Sequence, residues 1–363
     1  MPDAGWRAVA SAHGKRYPLM EPQDAVKLLY QHEFGGGHLV REPEKALEFL
    51  EQEWSGLREA EKRKFPSTEA IGNGYARLYL SAVEGESLCL SHICRMFTAS
   101  SKEKRGSMEA FLRKLDALPS LAEKGVFPFS SEAAEAYVKE YRAAGCPMVS
   151  HSQNYRKAYH PAYRVIDGRY IPLLPVIRAV DSLLQRKGRV VVAIDGRAAS
   201  GKSTAAELLA HIYEAAVIHM DDFFLPLELR TEERFREPGG NVHYERFKTE
   251  VLEPLEAGKS FSYRIFDCGI CQFRGERFVK PASLTIVEGS YSTHPYFEAP
   301  YDLTVFFTVN PQEQKHRICL RNGEEMYTMF RDRWIPLEEA YFSACAIPDR
   351  CSLLVKGDCG DMM

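Results

Sequence analysis

The sequence predicts an α/β protein: a doubly wound parallel sheet in residues 172–363, preceded by a mostly helical domain in residues 1–171. Three observations predict it. Arg189-Val190-Val191-Val192-Ala193-Ile194 is a continuous, largely β-branched run of the kind found in buried parallel strands. Similar runs recur at 216–220, 284–287, 303–308 and 352–355, with helical patterns between most of them. Before residue 145, apolar residues fall instead at helical spacing.

Taken in order, the first domain has helical patterns at 22–31 and at 44–60, where Ala46, Leu47, Leu50 and Trp54 share a face. Further helical stretches are expected at 69–83, 86–98, 107–124 and 131–143. The segment 145–170 is rich in Tyr, His, Asn and Pro and reads as an ordered loop. A helix at about 174–187 leads into the first strand of the sheet, and another starts at about Lys202.

The chain has 363 residues, room for two domains of ordinary size. A formal net charge of −3 gives no general attraction to nucleic acid. Neither half is a basic module: 24 basic and 22 acidic residues precede residue 172, and 23 and 28 follow. Nine cysteines, an odd number, point to reduced thiols and a cytoplasmic address. No apolar stretch approaches the ~18 residues that span a bilayer, and no signal-peptide pattern opens the chain. Cys268 and Cys271 form one CxxC with no second pair at zinc-site spacing; two thiols in a loop is the simpler reading.

Gly196-Arg197-Ala198-Ala199-Ser200-Gly201-Lys202-Ser203 matches G-x-x-x-x-G-K-[ST] in full, after a strand and before a helix. The second domain is therefore expected to be a P-loop NTPase sheet. Backbone N–H groups from Gly196 to Thr204, with Ala199, Ser200 and Gly201 in the turn, would cradle phosphates at a helix N-terminus. Lys202 would reach the β/γ-phosphates of ATP, and the Ser203 hydroxyl would ligate Mg²⁺.

The run at 216–220 ends in Met220-Asp221-Asp222-Phe223-Phe224. Strand C-termini line the ligand crevice of such sheets, so a carboxylate here can take the proton of an attacking hydroxyl or bind Mg²⁺. A helix cap or a solvated turn is the alternative for this Asp-Asp pair. Asp222 and the aromatic Phe223 are expected against the acceptor. Thr285-Ile286-Val287-Glu288-Gly289 is a Walker-B-like strand whose Glu288 suits Mg²⁺. Arg317 and Arg321 fall at i and i+4 on an expected helix, where guanidinium groups suit a transferring phosphoryl. Arg331 and Arg333 serve the same end or form a solvated basic face.

On these residues the C-terminal half, about 172–355, resembles the uridine kinase and phosphoribulokinase family, which includes type I pantothenate kinase. The resemblance rests on GRAASGKST, HMDDFF, GGNVHYERFKTEVLEPLEAGKSFSYRIFD, TIVEG and RICLRNG. It implies Asp221 as general base and Asp221, Ser203 and Glu288 around Mg²⁺. It further implies Arg317 and Arg321 as lid arginines, and Phe266 and Asp267 in the acceptor block. The segment after Asp267 lacks the histidine of the family's uridine kinases, leaving Arg274 to hydrogen-bond the acceptor. A small-molecule hydroxyl, nucleoside-like first, is the expected acceptor. A nucleotide-dependent regulatory module and a kinase acting on RNA or protein are the rival readings.

Residues 1–171 match no pattern of known chemistry. His32, Glu33 and His38 around a triglycine run suit a metal, an anion or a Gly-terminated helix with a structural histidine. Tyr155, Arg156, Tyr159, Tyr163 and Arg164 either build part of a cleft or pack.

Overall fold

The computed structural model describes residues 4–36, 43–57, 67–80, 88–103, 105–298 and 301–357. The chain divides between Ile171 and Pro172 into two compact units.

Helices dominate the first unit: Ala4–Arg16, Pro22–Phe34, Pro43–Gly56, Leu90–Ser100, Met108–Glu123, Ser131–Ala143 and Gln153–Tyr159. Ser107 and Ser130 cap two of them by accepting the backbone N–H of Ala110 and Ala133. The helix expected at 69–83 is instead a hairpin, β1 (Thr68–Gly72) and β2 (Tyr75–Tyr79), and β2 pairs antiparallel with β3 (Tyr163–Asp167). The reason is local: Gly72, Asn73 and Gly74 all take positive φ, which makes a tight turn and stops a helix. The segment 145–170 is likewise not a loop throughout, since it holds the helix Gln153–Tyr159 and β3.

The core of this unit contains an ionic network. Arg77 is buried, its Nη1 donating to Glu69 Oε2 at 3.1 Å and its Nε and Nη2 to Gln31 Oε1 at 3.1 and 2.8 Å. Tyr17 and Tyr79 hydroxyls donate to the same Glu69 carboxylate, at 2.7 and 2.9 Å. Burial alone would raise the Glu69 pKa, but His13, with Nε2 3.3 Å from Oε2, and the Arg77 charge hold it well below the usual carboxylate range. Breaking such a pair strands a buried charge. Arg77→Met should therefore lower unfolding stability by about 3–5 kcal/mol, and Glu69→Gln on top of it should restore part of the loss. Denaturant unfolding of the three variants decides it; an unchanged midpoint for Arg77→Met removes the network as a stabilising element.

In the second unit, β10 (Leu353–Lys356), β9 (Leu303–Thr308), β4 (Val190–Gly196), β8 (Leu284–Glu288) and β5 (Ala216–His219) form, in that spatial order, one parallel sheet. All five strands lie at the runs expected for them. Val192, Ala193, Ile194 and Ile286 have no exposed surface, which is why β4 and β8 carry no alternation of polar and apolar residues. Helices Leu174–Lys187 and Lys202–Tyr213 flank β4 in sequence, and Pro311–Asn322 and Ile335–Ala344 lie between β9 and β10. The fold is thus the doubly wound P-loop sheet, preceded by a mostly helical unit. An antiparallel hairpin of β6 (Phe261–Asp267) and β7 (Gln272–Val279) is separate from the sheet. Among the described residues, no helix is long and apolar enough to cross a membrane.

Candidate functional site

The glycine-rich loop from Gly196 to Ser203 leaves β4, the middle strand of the sheet. Gly196 (φ 139°) must be glycine because β9 runs against it: a Cβ there would sit 2.1 Å from Phe307 O. Gly201 (φ 98°) turns the chain into the helix Lys202–Tyr213. Ala199 also takes positive φ, 56°. The Lys202 side chain curls over the loop, donating from Nζ to Gly196 O at 2.7 Å and Arg197 O at 2.8 Å. Ser200 Oγ is buried and without a hydrogen-bond partner among the described residues.

Sheet order brings the next groups together. In the β5–β8 register His219 lies opposite Glu288, and in the β4–β8 register Ile194 does. Glu288 is buried, with Oε2 accepting from Ser203 Oγ at 3.2 Å and Oε1 2.5 Å from His219 Nδ1. That hydrogen bond raises the His219 pKa despite its burial. Asp221 follows two residues later. It makes no hydrogen bond or ion pair among the described residues. Solvent reaches it, yet protein atoms crowd around it; this desolvation and the Glu288 charge raise its pKa, while Lys202 and His219 pull the other way. A carboxylate with a raised pKa, close enough to feel the charges of Glu288 and Lys202, is equipped to take a proton. Ser203, Asp221 and Glu288 supply only oxygen donors, the hard set that Mg²⁺ prefers.

Other expected site residues lie elsewhere. Asp222 is mostly buried: Tyr263 OH donates to its Oδ2 at 3.0 Å, Arg277 Nε stands 3.7 Å away, and its carbonyl accepts from Arg246. Its expected contact with an acceptor gives way to this internal role. Phe223 is a correction too. It has no exposed surface and packs against Phe247 and Tyr263, ring centroids 5.0 and 5.1 Å away, because its turn points it into the core. Phe266 is buried at the hairpin against Phe273. Asp267 caps the β6–β7 turn, accepting from Gly269 N at 2.8 Å, and Arg274 Nη1 reaches it at 3.4 Å. The tip keeps one link to the site: Asp221 and Arg230 are both close enough to bear on the Cys268 thiol, which solvent reaches but which surrounding protein atoms desolvate enough to push its pKa up to about 11.

Arg317 joins the phosphate loop, donating from Nη1 to Ala199 O at 3.2 Å and from Nη2 to Gly357 O at 2.7 Å. Arg321 does not; it is exposed and bonded to its neighbour Asn322. Arg331 pairs with Asp332 on the surface, and Arg333 lies over Phe235 and Trp334. The expectations for the first unit resolve toward structure. His32 and Glu33 share Lys114 in the interior, at the end of a helix capped by Gly35 with φ 58°. His38 lies outside the described residues. Tyr155 is in the unit's core, and Arg164 pairs with Glu53 at 2.7 Å. Cys268 and Cys271 belong to no group of three or more metal-binding side chains among the described residues.

Sequence reasoning missed His219, Asp195 and Glu338. Asp195 has no exposed surface and accepts five hydrogen bonds: from Gly196 N, Tyr291 N, Thr293 N, Thr293 Oγ1 and Tyr341 OH. Glu338 Oε2 accepts the Ala198 N–H at 2.8 Å, and Glu339 holds Arg197 at 2.6 and 3.0 Å. Only the position of Asp195, just ahead of the glycine loop, was a signal in the sequence.

No family model matches the chain, and no curated protein does. Solved structures do. A possible uridine kinase from Bacillus stearothermophilus is 18% identical over 50% of this chain and 98% of its own, with a TM-score of 0.38. A candidate fructose transport system kinase from Silicibacter sp. TM1040 is 21% identical over 48% and 96%, with a TM-score of 0.40. TT1252 from Thermus thermophilus is 18% identical over 48% and 92%, with a TM-score of 0.29.

Proposed function

We propose that this chain is a cytoplasmic, ATP- and Mg²⁺-dependent kinase that phosphorylates a hydroxyl of a small molecule, with a nucleoside-like acceptor first in line. One observation carries the reading: Asp221, solvent-exposed and without a hydrogen bond or ion pair among the described residues, lies close enough to Lys202 and Glu288 for both charges to act on it. A nucleotide switch has no use for a free carboxylate opposite its phosphate loop; a phosphoryl transferase uses one to take the proton of the attacking hydroxyl.

Each residue then has a role. Lys202 and Arg317 offset charge on the phosphates, the loop N–H groups orient them, and Asp221 receives the acceptor proton. Ser203, Glu288 and Asp221 would hold Mg²⁺, which would supply positive charge to offset that of the phosphates. His219 fixes the Glu288 carboxylate from the far side. Asp222, held by Tyr263, keeps the turn that presents Asp221.

The full chain should release ADP from Mg·ATP only when a suitable acceptor is present. A panel of nucleosides, vitamins and sugars, with RNA and a protein mixture as further arms, measures this. Nucleotide binding without acceptor-dependent ADP release from any arm would favour a regulatory module and end the kinase reading.

A further inference from the structure

The Ser290 hydroxyl stands between two acceptors beneath the phosphate loop. Its Oγ lies 2.7 Å from Glu338 Oε1 and 3.0 Å from Gly196 O. The other Glu338 oxygen accepts the Ala198 N–H at 2.8 Å. A hydroxyl has one proton to give. If Glu338 is ionised, Ser290 can serve the carboxylate or the carbonyl, and the contact it leaves is oxygen against oxygen. If Glu338 carries a proton on Oε1, every contact holds one: Oε1–H donates to Ser290 Oγ, Ser290 O–H to Gly196 O, and Ala198 N–H to Oε2. Ser290 and Glu338 are both buried, each 8% exposed, so bulk water is not at hand to mend a missing proton.

We propose that Glu338 is a neutral carboxylic acid beneath the phosphate loop, and that in this form it is a positioning residue tying the loop after β4 to the loop after β8. The surrounding charges agree. Burial is the largest influence and raises the Glu338 pKa; Lys202 and the contacts with Ser290 and the Ala198 N–H act the other way, and Asp195, at the end of β4, adds to the rise. Arg197, which might have favoured the anion, is taken by Glu339 on the same helix as Glu338. From the β8 loop the facing group is the Tyr291 phenol, which is itself pushed up by burial and by Glu338. Tyr341, one turn along, donates to Asp195. A neutral acid also spares the cradle a negative charge where phosphates would have to approach.

Only the second arm of the test rests on the nucleotide reading. In the first, infrared difference spectra of the full chain at neutral pH, wild type minus Glu338→Gln, should contain a protonated-carboxyl C=O band. Its absence overturns the proposal whether or not nucleotide binds. In the second, ATP affinity should fall at least about 10-fold in Glu338→Ala, which strands the Ala198 N–H and Ser290, and stay within about threefold of wild type in Glu338→Gln, whose amide repeats the neutral pattern. An equal loss in both variants, or a Glu338→Gln variant worse than Glu338→Ala, overturns it. The sign with pH is fixed: a raised pKa keeps the tie at low pH and loses it as pH rises through that value. Wild-type affinity should therefore weaken toward alkaline pH relative to Glu338→Gln; parallel profiles count against the proposal. If Glu338→Ala does not fold, the band and the Glu338→Gln profile still decide.

Discussion

Asp221→Asn should abolish most turnover while leaving the fold intact, and Asp222→Asn should do the reverse. The two residues are adjacent, yet their surroundings are opposite. Asp221 has no hydrogen-bond or ion-pair partner among the described residues to lose, so the amide changes its capacity to accept a proton and to face Mg²⁺. A general base contributes about 10²–10⁴-fold, which sets the size of the expected drop in kcat. Asp222 is held by Tyr263 at 3.0 Å with Arg277 at 3.7 Å, so its amide weakens buried contacts and should lower the melting temperature before it touches the rate. Steady-state rates and thermal melts on both variants separate the roles. A dead Asp222→Asn with an active Asp221→Asn would transfer the base assignment by one residue.

Lys202→Ala should cost at least about 100-fold in turnover, taking one preorganised electrostatic contact as ~2.7–4 kcal/mol. The lysine is already in place: its ammonium spans the Gly196 and Arg197 carbonyls, and its stem is buried. Phosphate binding would exchange those neutral acceptors for charged ones at little cost in side-chain freedom. Lys202→Met is the companion variant, because it keeps the buried stem and removes only the charge. If either folded variant turns over at the wild-type rate, the loop is not a phosphate cradle in this protein.

How much of the site was legible depends on how local its chemistry is. The glycine loop announces itself because its turn takes positive φ at Gly196 and Gly201 and leads straight into a helix at Lys202, all within eight residues. Asp221 and Glu288 were legible as polar residues ending apolar strand runs. The misreadings share a cause. Phe223 was expected in a binding cleft, and 69–83 as a helix, from composition over a few residues. In both, a turn set the direction: the short helical turn Met220–Phe223 drives Phe223 inward, and Gly72 to Gly74 fold the chain back into a hairpin.

The sequence by itself determined the five parallel strands, the loop after the first of them and the carboxylates at two strand ends. Each of these is written in runs of residues short enough for backbone preference and burial to act locally. Only the tertiary structure decided which of those ends meet. Placing β8 between β4 and β5 puts Glu288 between Ser203 and His219, residues 69 to 85 positions away, and no periodicity encodes that neighbour. The same holds for Glu338, which reaches the phosphate loop across 140 positions. Long-range contacts of this kind follow from which sheet order buries the most apolar surface, a property of the whole domain that no single segment carries.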